Sequence, residues 1–460
     1  MANQVGAALQ KAGDIEFLEV SILSGAGEYE QQATWSNVDI KLFIGEISIH
    51  EDMYGPGMVG SLLMLDAANL YATLGFKGNE WIHLKMKTPT MDDEVALIDR
   101  YFKVYSITDR QMISDTGKQS YVIHFCSAEI LADMISPMQK TFGPGRVDEL
   151  VSKIYNERLN IEYPNGKKKP LITGTPCANE IKFVSPNWKP MQCINWLASK
   201  AIPSNLKAPT YLFYESNKAY NFMNVEFLFN AAIQNKSYYQ DYKYVARSAK
   251  KSTDTSYVSN VDDDFKKIEN LVHVEDFNYM KNSQNGYYAN MLYTLDVITK
   301  TYKQIEYKHT EKYFDYYHLE QIKGGTGWVF RPFNKEDAYN PLGHISFYPQ
   351  HTELFTGVTQ NAGDVISKSM QPRISLLEEL NNIKLEITVP GRTDIELGAI
   401  VHIFYPDPSA KDEGDTADLR SDEKYTGFYL VTAIRHKFTL LSHTMTLEIV
   451  KDSLGRRQQK

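Results

Sequence analysis

Two acidic residues and two histidines are the side chains whose types and spacing come nearest to those of a catalytic or metal-binding site. Glu51 and Asp52 form a carboxylate pair at the start of a glycine-rich stretch. A glycosidase needs two carboxyl groups about 5 to 9.5 Å apart across a cleft, whereas adjacent residues at a strand end point to opposite faces. His309 and His318 are isolated in a tyrosine-rich segment. We therefore predict neither a hydrolytic pair nor a metal site from these residues.

Motifs that carry known catalytic machinery are missing from the sequence. It has no GxSxG, no HExxH, no Walker loop and no GxGxxG that opens a helix. The cluster GGTGW at 324–328 lacks the lysine and the helix that would follow in a phosphate-binding loop, so it predicts a turn. The expectation is a protein with no catalytic residues, no cofactor and no metal.

Composition and charge point to an ordinary globular protein of several domains. The 460 residues are 43% hydrophobic and 23% charged, with a formal net charge of -8, which does not favour binding to nucleic acid. The longest basic run, Lys167–Lys169, predicts a solvated turn. Cys126, Cys177 and Cys193 are scattered, and this spacing predicts neither a disulfide framework nor a zinc site.

Targeting and membrane signals are equally missing. The N-terminus lacks a basic segment followed by an apolar one, so no signal peptide is expected. No apolar run approaches the roughly 20 residues that span a bilayer, which predicts no stable membrane insertion.

Strands are predicted by alternating apolar residues in the first 128 residues. One strand is expected around Ile40, Leu42 and Ile44, and the segments RYFKVYSITDR and QSYVIHF predict a hairpin. In SLLMLDAANLY, Leu63 and Leu65 are expected to point inward. Asp66 is expected to cap a short helical turn after this strand.

Helical spacing appears in two segments after residue 128. They are GRVDELVSKIYNERLN and KPMQCINWLASKAI. A further hairpin is predicted in PTYLFYESNKAYNFMNVEFLF, with its turn at 217–218. The capping-box spacing of SLLEEL predicts a short helix that begins at Ser375. Alternating strands follow in the last 80 residues or so, interrupted by an acidic loop at 406–424.

Two segments, one in each half of the chain, have apolar residues at the same spacing, and we call this similarity the echo. Phe102, Val104 and Ile107 recur with the spacing of Tyr429, Val431 and Ile434. Before each set stands a strand with a histidine between apolar residues, and after each set stands another alternating strand. Two unrelated amphipathic meanders would also look alike, so the echo leaves duplication and coincidence both open. Duplication predicts two similar small antiparallel barrels, and a trimer of such chains would approximate a six-fold ring.

The predicted fold class is mainly β (α+β): two similar antiparallel, tube-like β-barrel domains plus helix-containing inserted and middle domains. The expected division of the chain is an N-terminal arm at 1–14, a first barrel at 15–128, a helix-containing insertion at 129–206, returning strands and a linker at 207–262, a middle domain with a loop-rich insertion at 263–374, a second barrel at 375–453 and a C-terminal tail at 454–460.

Several motifs resemble those of one protein family when they are taken in order. They are the turn DMYG at 52–55, the step DAAN at 66–69 and the strand GNEWIHL at 78–84. The helices named above, the segment NSQNGYYANMLYTLDVITKTY and the closing hairpin GFYLVTAIRHKFTLLSHTMTLEI match in the same order. In these features the chain resembles the baseplate central hub proteins of contractile-tailed, T-even-type bacteriophages, which are related to the base of type VI secretion spike proteins.

The resemblance implies a structural virion protein and not an enzyme. A homotrimeric hub ring would act as a symmetry adaptor between the six-fold tail tube, or a tube-initiator protein, and the three-fold central spike. Surrounding baseplate proteins would be further partners, and DNA would pass through the lumen without specific binding. The implied location is the tail baseplate of the virion, after assembly in the cytoplasm of the bacterial host.

Two other functions and one candidate binding site also follow from the sequence. The alternatives are a peptidoglycan-degrading tail enzyme, which would use Glu51 or Asp52, and a carbohydrate-binding tail module, which the aromatic content favours. At the C-terminus, Arg456 and Arg457 are candidates for contact with an acidic partner, although a tail that binds nothing would have the same composition.

Overall fold

The computed structural model of the chain describes residues 9, 11–25, 35–113, 117–235, 240–244, 261–297, 300–325, 327–329, 340–349, 362–407 and 421–454. In these ranges the chain is mainly β with helices between the strands, as the sequence predicts. The expected arm before residue 9 and much of the acidic loop at 406–424 lie outside the described residues.

The described strands are numbered in chain order. Those of the first half are β1 Glu16–Gly25, β2 Trp35–Asp39, β3 Ile44–Asp52, β4 Val59–Asp66, β5 Trp81–Lys87, β6 Ile98–Met112, β7 Gln119–Cys126, β8 Thr141–Arg146, β9 Leu171–Thr173, β10 Glu180–Val184, β11 Tyr211–Glu215 and β12 Tyr220–Asn224. Those of the second half are β13 Gln240–Tyr244, β14 Lys267–Ile268, β15 Asn270–Asp276, β16 Ala289–Asp296, β17 Thr301–Lys308, β18 Ile345–Pro349, β19 Ile383–Pro390, β20 Ile400–Phe404, β21 Gly427–Phe438 and β22 His443–Lys451.

The described α-helices stand between these strands. They are α1 Leu70–Leu74, α2 Asp93–Ala96, α3 Ala128–Ile135, α4 Val147–Arg158, α5 Pro190–Ala198, α6 Val225–Gln234, α7 Val261–Asp264, α8 Tyr279–Asn285, α9 His309–Lys312 and α10 Ala362–Glu379. Helices α4 and α5 confirm the two helices predicted from periodicity. Their apolar faces pack together with β11 and β12 in one core of the inserted region, and β11 and β12 form the predicted hairpin.

Two sets of five strands have the same order in the chain and in the sheet. The first set, which we name the first β unit, runs β3-β4-β7-β6-β5. The second β unit runs β15-β19-β22-β21-β20. Every neighbouring pair within both units is antiparallel. Five strands in one order are therefore present twice in the chain.

The registers of the two units also agree residue by residue. Val104 pairs with Phe125 in the first unit and Val431 pairs with Ile449 in the second, and a β-bulge follows both pairs at the same level. The strand before them pairs Ile82 with Phe102, as Val401 pairs with Tyr429 in the second unit. These are the residues of the echo in the sequence.

Each strand of the two units directs one equivalent apolar side chain toward the core of its unit. In the first unit these are Ile47, Leu62, Ile82, Phe102 and Ile123, which share one core. In the second unit the equivalents are Ile387, Val401, Tyr429 and Leu447, which are buried in another core, and Leu271, which is partly buried and packs against that core. Strand β15 lies among residues that the sequence assigns to the middle domain, so the second unit draws on two separate parts of the chain.

Both units belong to one 14-stranded sheet whose path is open at β14 and β2 in the described ranges. The two expected closed barrels are therefore not seen in the single chain. The reason is that β21 extends beyond β20 and pairs with β3 of the other unit. The strands join the two units to each other, and neither unit closes on itself.

Three local expectations were wrong. In β4, Leu62 and Met64 are buried, whereas Leu65 is 45% exposed, because SLLML is apolar on both faces and the core side is selected by pairing. Leu42 is 89% exposed in a short 3-10 helix, which separates β2 from β3. Ser375 lies inside α10, where its hydroxyl donates to the carbonyl of Gly286 instead of capping a helix.

Candidate functional site: the seam between the two β units

The seam is the stretch where the second half of β21 pairs with β3. The antiparallel register runs from Ala433 opposite Asp52 to Phe438 opposite Ile47. At the start of the seam, the backbone N–H of Met53 donates to the carbonyl of Thr432 at 2.9 Å. Ladder hydrogen bonds and buried side chains therefore both hold the two units together here.

A cluster of three polar side chains lies buried in the seam. Nδ1 of His436 is 3.0 Å from Nε2 of His443, and Nε2 of His436 is 3.4 Å from a carboxylate oxygen of Glu51. Burial, followed by the neighbouring His436, holds the pKa of His443 well below its usual value. A neutral His443 can thus remain close to His436 without repulsion between two buried cations.

Glu51 and Asp52 point to opposite sides of β3, as expected of adjacent strand residues. Glu51 is buried in the seam, whereas Asp52 is exposed and accepts the backbone N–H of Tyr54 at 2.9 Å. The two carboxylates therefore do not face each other across a cleft. Asp66 caps α1 with its carboxylate, which accepts the N–H groups of Leu70 and Tyr71, although the N-cap position itself is held by Asn69.

His309 and His318 are buried, and each has its own acidic partner. His309 is 3.2 Å from Glu379, and Nδ1 of His318 is 2.9 Å from Asp452. Burial lowers the pKa of His318, but the hydrogen bond to Asp452 and the charge of Glu379 outweigh this effect and raise the pKa to about 9. Among the described side chains, no group of three or more His, Cys, Asp or Glu could hold a metal ion.

A buried charged cluster joins the first unit to the inserted region, and sequence reasoning missed it. The carboxylate of Glu215 on β11 contacts Arg100 on β6 and Lys169. It also accepts the N–H of Met58 at 2.7 Å and the hydroxyl of Ser127 at 2.6 Å. Lys169 is thus buried, and the expectation of a solvated turn is wrong for this residue. No local pattern reveals the cluster, because its members are far apart in the sequence.

Two strand edges in the described part of the chain lack a partner that the equivalent edges of the other unit possess. Beyond Val104, β6 pairs with β7 on one side only, in the ranges that the structure covers. Among the strands that the structure describes, β15 pairs with β19 alone. Their equivalents, β21 and β3, are paired on both sides over the seam. These two open edges are the backbone surfaces most suited to contact with another chain.

The three cysteines, the C-terminal arginines and the helices bear on the other predictions from the sequence. Cys126, Cys177 and Cys193 are buried free thiols. Arg456 and Arg457 lie outside the described residues, so their role stays a prediction. No helix in the described ranges is long and apolar enough to cross a membrane.

The comparisons with known proteins find similarity in structure only. The sequence matches no protein-family model and no curated protein. A tail protein from Neisseria meningitidis MC58 superposes with a TM-score of 0.50 at 10% identity, over 95% of this chain and 97% of that one. The 43 kDa tail protein of prophage MuSo2 from Shewanella oneidensis gives a TM-score of 0.50 at 9% identity, over 94% and 98% of the two chains. The chain therefore has the fold of these tail proteins over nearly its whole length.

Proposed function

We propose that the chain is a structural tail protein that forms a homotrimeric baseplate hub ring. The observation that supports this proposal is the repeated five-strand unit, with matched register and a matched bulge. Three copies of a chain with two equivalent units present six similar units around one axis. Such a ring is a symmetry adaptor, since one face offers six-fold and the other three-fold contacts.

The proposed partners follow from this geometry and from the resemblance in the sequence. The six-fold face would meet the tail tube or a tube initiator, and the three-fold face would seat the central spike. Surrounding baseplate proteins would contact the outside, and DNA would pass through the lumen. The proposed location is the tail baseplate of a virion. In this scheme the two β units are the tube-like domains. The inserted region lies between them in sequence, and most of the middle region lies between β15 and β19 of the second unit.

A structural role also agrees with the candidate catalytic residues. Glu51 is buried against His436 and Asp52 faces away from it, so the pair offers no cleft for a peptidoglycan strand. His309 and His318 are each paired with a separate carboxylate. These carboxylates and histidines therefore stabilise the fold in this proposal and do not catalyse a reaction.

The test is the mass and symmetry of the purified protein. Light scattering coupled to gel filtration should give three times the 52.6 kDa of one chain. Negative-stain class averages viewed along the particle axis should show six similar lobes. A particle with the mass of one chain, or a trimer with three compact lobes and no central opening, would contradict the proposal.

A further inference from the structure

We propose that the ring is closed by one defined strand pair: the second half of β6 pairs antiparallel with β15 of the next copy of this chain. This inference rests on the proposed trimeric ring and identifies the edges that form it. In the pair, Ile107 lies opposite the partner subunit's Asp276, and Met112 lies opposite the partner subunit's Leu271.

The chain's own seam provides the template for this contact. The seam joins β21 of the second unit to β3 of the first unit. The equivalent of β21 in the first unit is β6, and the equivalent of β3 in the second unit is β15. If six units alternate around a ring, each passage from a first unit to a second unit crosses between chains. The contact at that passage must use β6 and β15 in place of β21 and β3.

Pairing within each unit gives the β6 residues that would enter the contact. Arg435 pairs with Thr446 in the second unit, and Thr108 pairs with Val122 at the equivalent level of the first. Thr108 is therefore the equivalent of Arg435. In the seam, Arg435 lies opposite His50, so Thr108 is expected opposite the equivalent of His50.

The same comparison identifies the residue of β15. His50 pairs with Val59 in the first unit, and Glu275 pairs with Lys384 at the equivalent level of the second. Glu275 is thus the equivalent of His50. The template therefore places Thr108 opposite the partner subunit's Glu275.

Matching insertions in the two strands support the pairing independently. Relative to β7, β6 has an extra residue between Thr108 and Gln111, which β21 lacks at that level. Relative to β19, β15 has an extra residue between His273 and Glu275, which β3 lacks. An insertion in one strand alone would shift the register and turn side chains to the wrong face. Because the two insertions fall at the same level, they face each other and the ladder continues without a shift.

Side chains on the two open edges are more exposed in the single chain than the buried side chains of the seam. Ile434, His436 and Phe438 in the seam are at most 2% exposed. At the equivalent levels of β6, Ile107 is partly exposed and residues 109–112 are exposed. On the other edge, Val272 and Val274 are 44% and 51% exposed. Apolar side chains along an open edge are an aggregation hazard unless another strand covers them.

A disulfide across the proposed pair tests its register. Thr108 and the partner subunit's Glu275 correspond to the pair of Arg435 and His50. The hydrogen bond between Met53 and Thr432 fixes the alternation of the ladder, so the pair of Arg435 and His50, three positions further along, is one that is not hydrogen-bonded. Such pairs have Cα atoms about 4.5 Å apart, within the range that a disulfide needs. The variant is Thr108→Cys with Glu275→Cys, and each single substitution serves as a control.

The matched control uses the same position within one chain. Arg435→Cys with His50→Cys should form a disulfide that consumes both thiols and leaves the chain at its single mass. Oxidised Thr108→Cys with Glu275→Cys should instead run on a denaturing gel at up to three times the chain mass, and a reductant should restore the single chain. The single substitutions should give no three-chain band.

Two outcomes would overturn the inference, and they separate it from the proposed ring. If the double variant stays a single chain on the gel while the native preparation has the mass of three chains, the ring stands and this strand pair is wrong. If the native preparation has the mass of one chain and no cross-link forms, both proposals fail. Cross-linked chains longer than three copies would support the strand pair and contradict the closed ring.

Discussion

Thr88 and Thr393 bind each other reciprocally where the two β units meet a second time. The backbone N–H of Thr88 donates to Oγ1 of Thr393 at 3.0 Å, and the N–H of Thr393 donates to Oγ1 of Thr88 at 3.1 Å. The two hydroxyl oxygens are 3.2 Å apart, and both residues are buried. This contact is separate from the seam, so the units are fixed to each other at two places.

Replacement of either threonine by valine should weaken this junction. Thr88→Val leaves the N–H of Thr393 buried without its acceptor, which costs about 1–3 kcal/mol of unfolding free energy. Thr393→Val should have a similar effect for the reciprocal reason. The double variant should lose less than the two single losses added together, because both single variants remove the same bond between the hydroxyls. Urea unfolding of all four proteins measures this, and strictly additive losses would contradict the reciprocal contact.

Loss of the Glu215 carboxylate should be among the most destabilising single changes. Glu215→Ala removes the carboxylate that contacts both Arg100 and Lys169 in the interior, and breaking a buried pair in this way costs about 3–5 kcal/mol. The measurement is the unfolding free energy in urea. As a control, Glu157→Ala removes a surface partner of Lys140 and should cost no more than about 1 kcal/mol. Equal effects of the two variants would show that the cluster does not hold the inserted region.

Much of the β architecture could be predicted from sequence because alternation is a local property. The echo between Phe102 and Tyr429 identified positions that prove to be equivalent in both cores. The alternation of apolar and polar residues does not predict which strands pair with each other. The expectation of two closed barrels therefore missed that β21 continues into the other unit, since this pairing depends on residues almost four hundred positions apart.

Some local features could be assigned only from the tertiary structure, such as which of two side chains is buried or where a helix begins. Leu62 and Leu63 are both suited to a core, and the pairing of β4 decides which one is buried. Lys169 sits in a run that predicts a solvated turn, and a carboxylate on β11 draws it inside. Ser375 has the spacing of a cap, but α10 begins thirteen residues earlier. Each miss reflects a distant contact that outweighed a local preference.

Stability should fall with rising pH through the titration of His318. The folded-state pKa of about 9 lies above the usual value of 6.5, so folding favours the protonated form. The contribution is complete below about pH 6.5 and is lost as the pH rises to about 9, with an upper limit of roughly 3 kcal/mol.

Asp452→Asn provides the comparison, because it removes the charge that raises the pKa of His318. Thermal midpoints of the native protein and this variant should differ most near pH 6 and converge above pH 9. A gap between the midpoints that stays constant over this range would mean that His318 does not titrate as the contacts indicate.

A methyl group at Gly391 should disturb the seam through His443. A Cβ at this position would lie 2.1 Å from Cγ of the His443 ring, and the N–H of Gly391 already donates to the carbonyl of His443 at 2.8 Å. The ring is buried beside His436, so it can yield only by disturbing this contact. Gly391→Ala should therefore cost about 1–3 kcal/mol, as overpacked core positions do.

Gly343→Ala is the matched control for this variant. A Cβ there would lie 3.5 Å from its nearest neighbour, the carbonyl oxygen of Ser283, which is an ordinary contact, and its φ lies outside the left-handed region. The thermal midpoint of Gly343→Ala should remain close to that of the native protein, while that of Gly391→Ala should fall by several degrees. Because the histidine cluster belongs to the seam, the loss for Gly391→Ala should be accompanied by faster backbone hydrogen exchange in β3 and β21. Equal midpoints and unchanged exchange would mean that His443 has room to move and that the cluster does not determine how closely the two units approach.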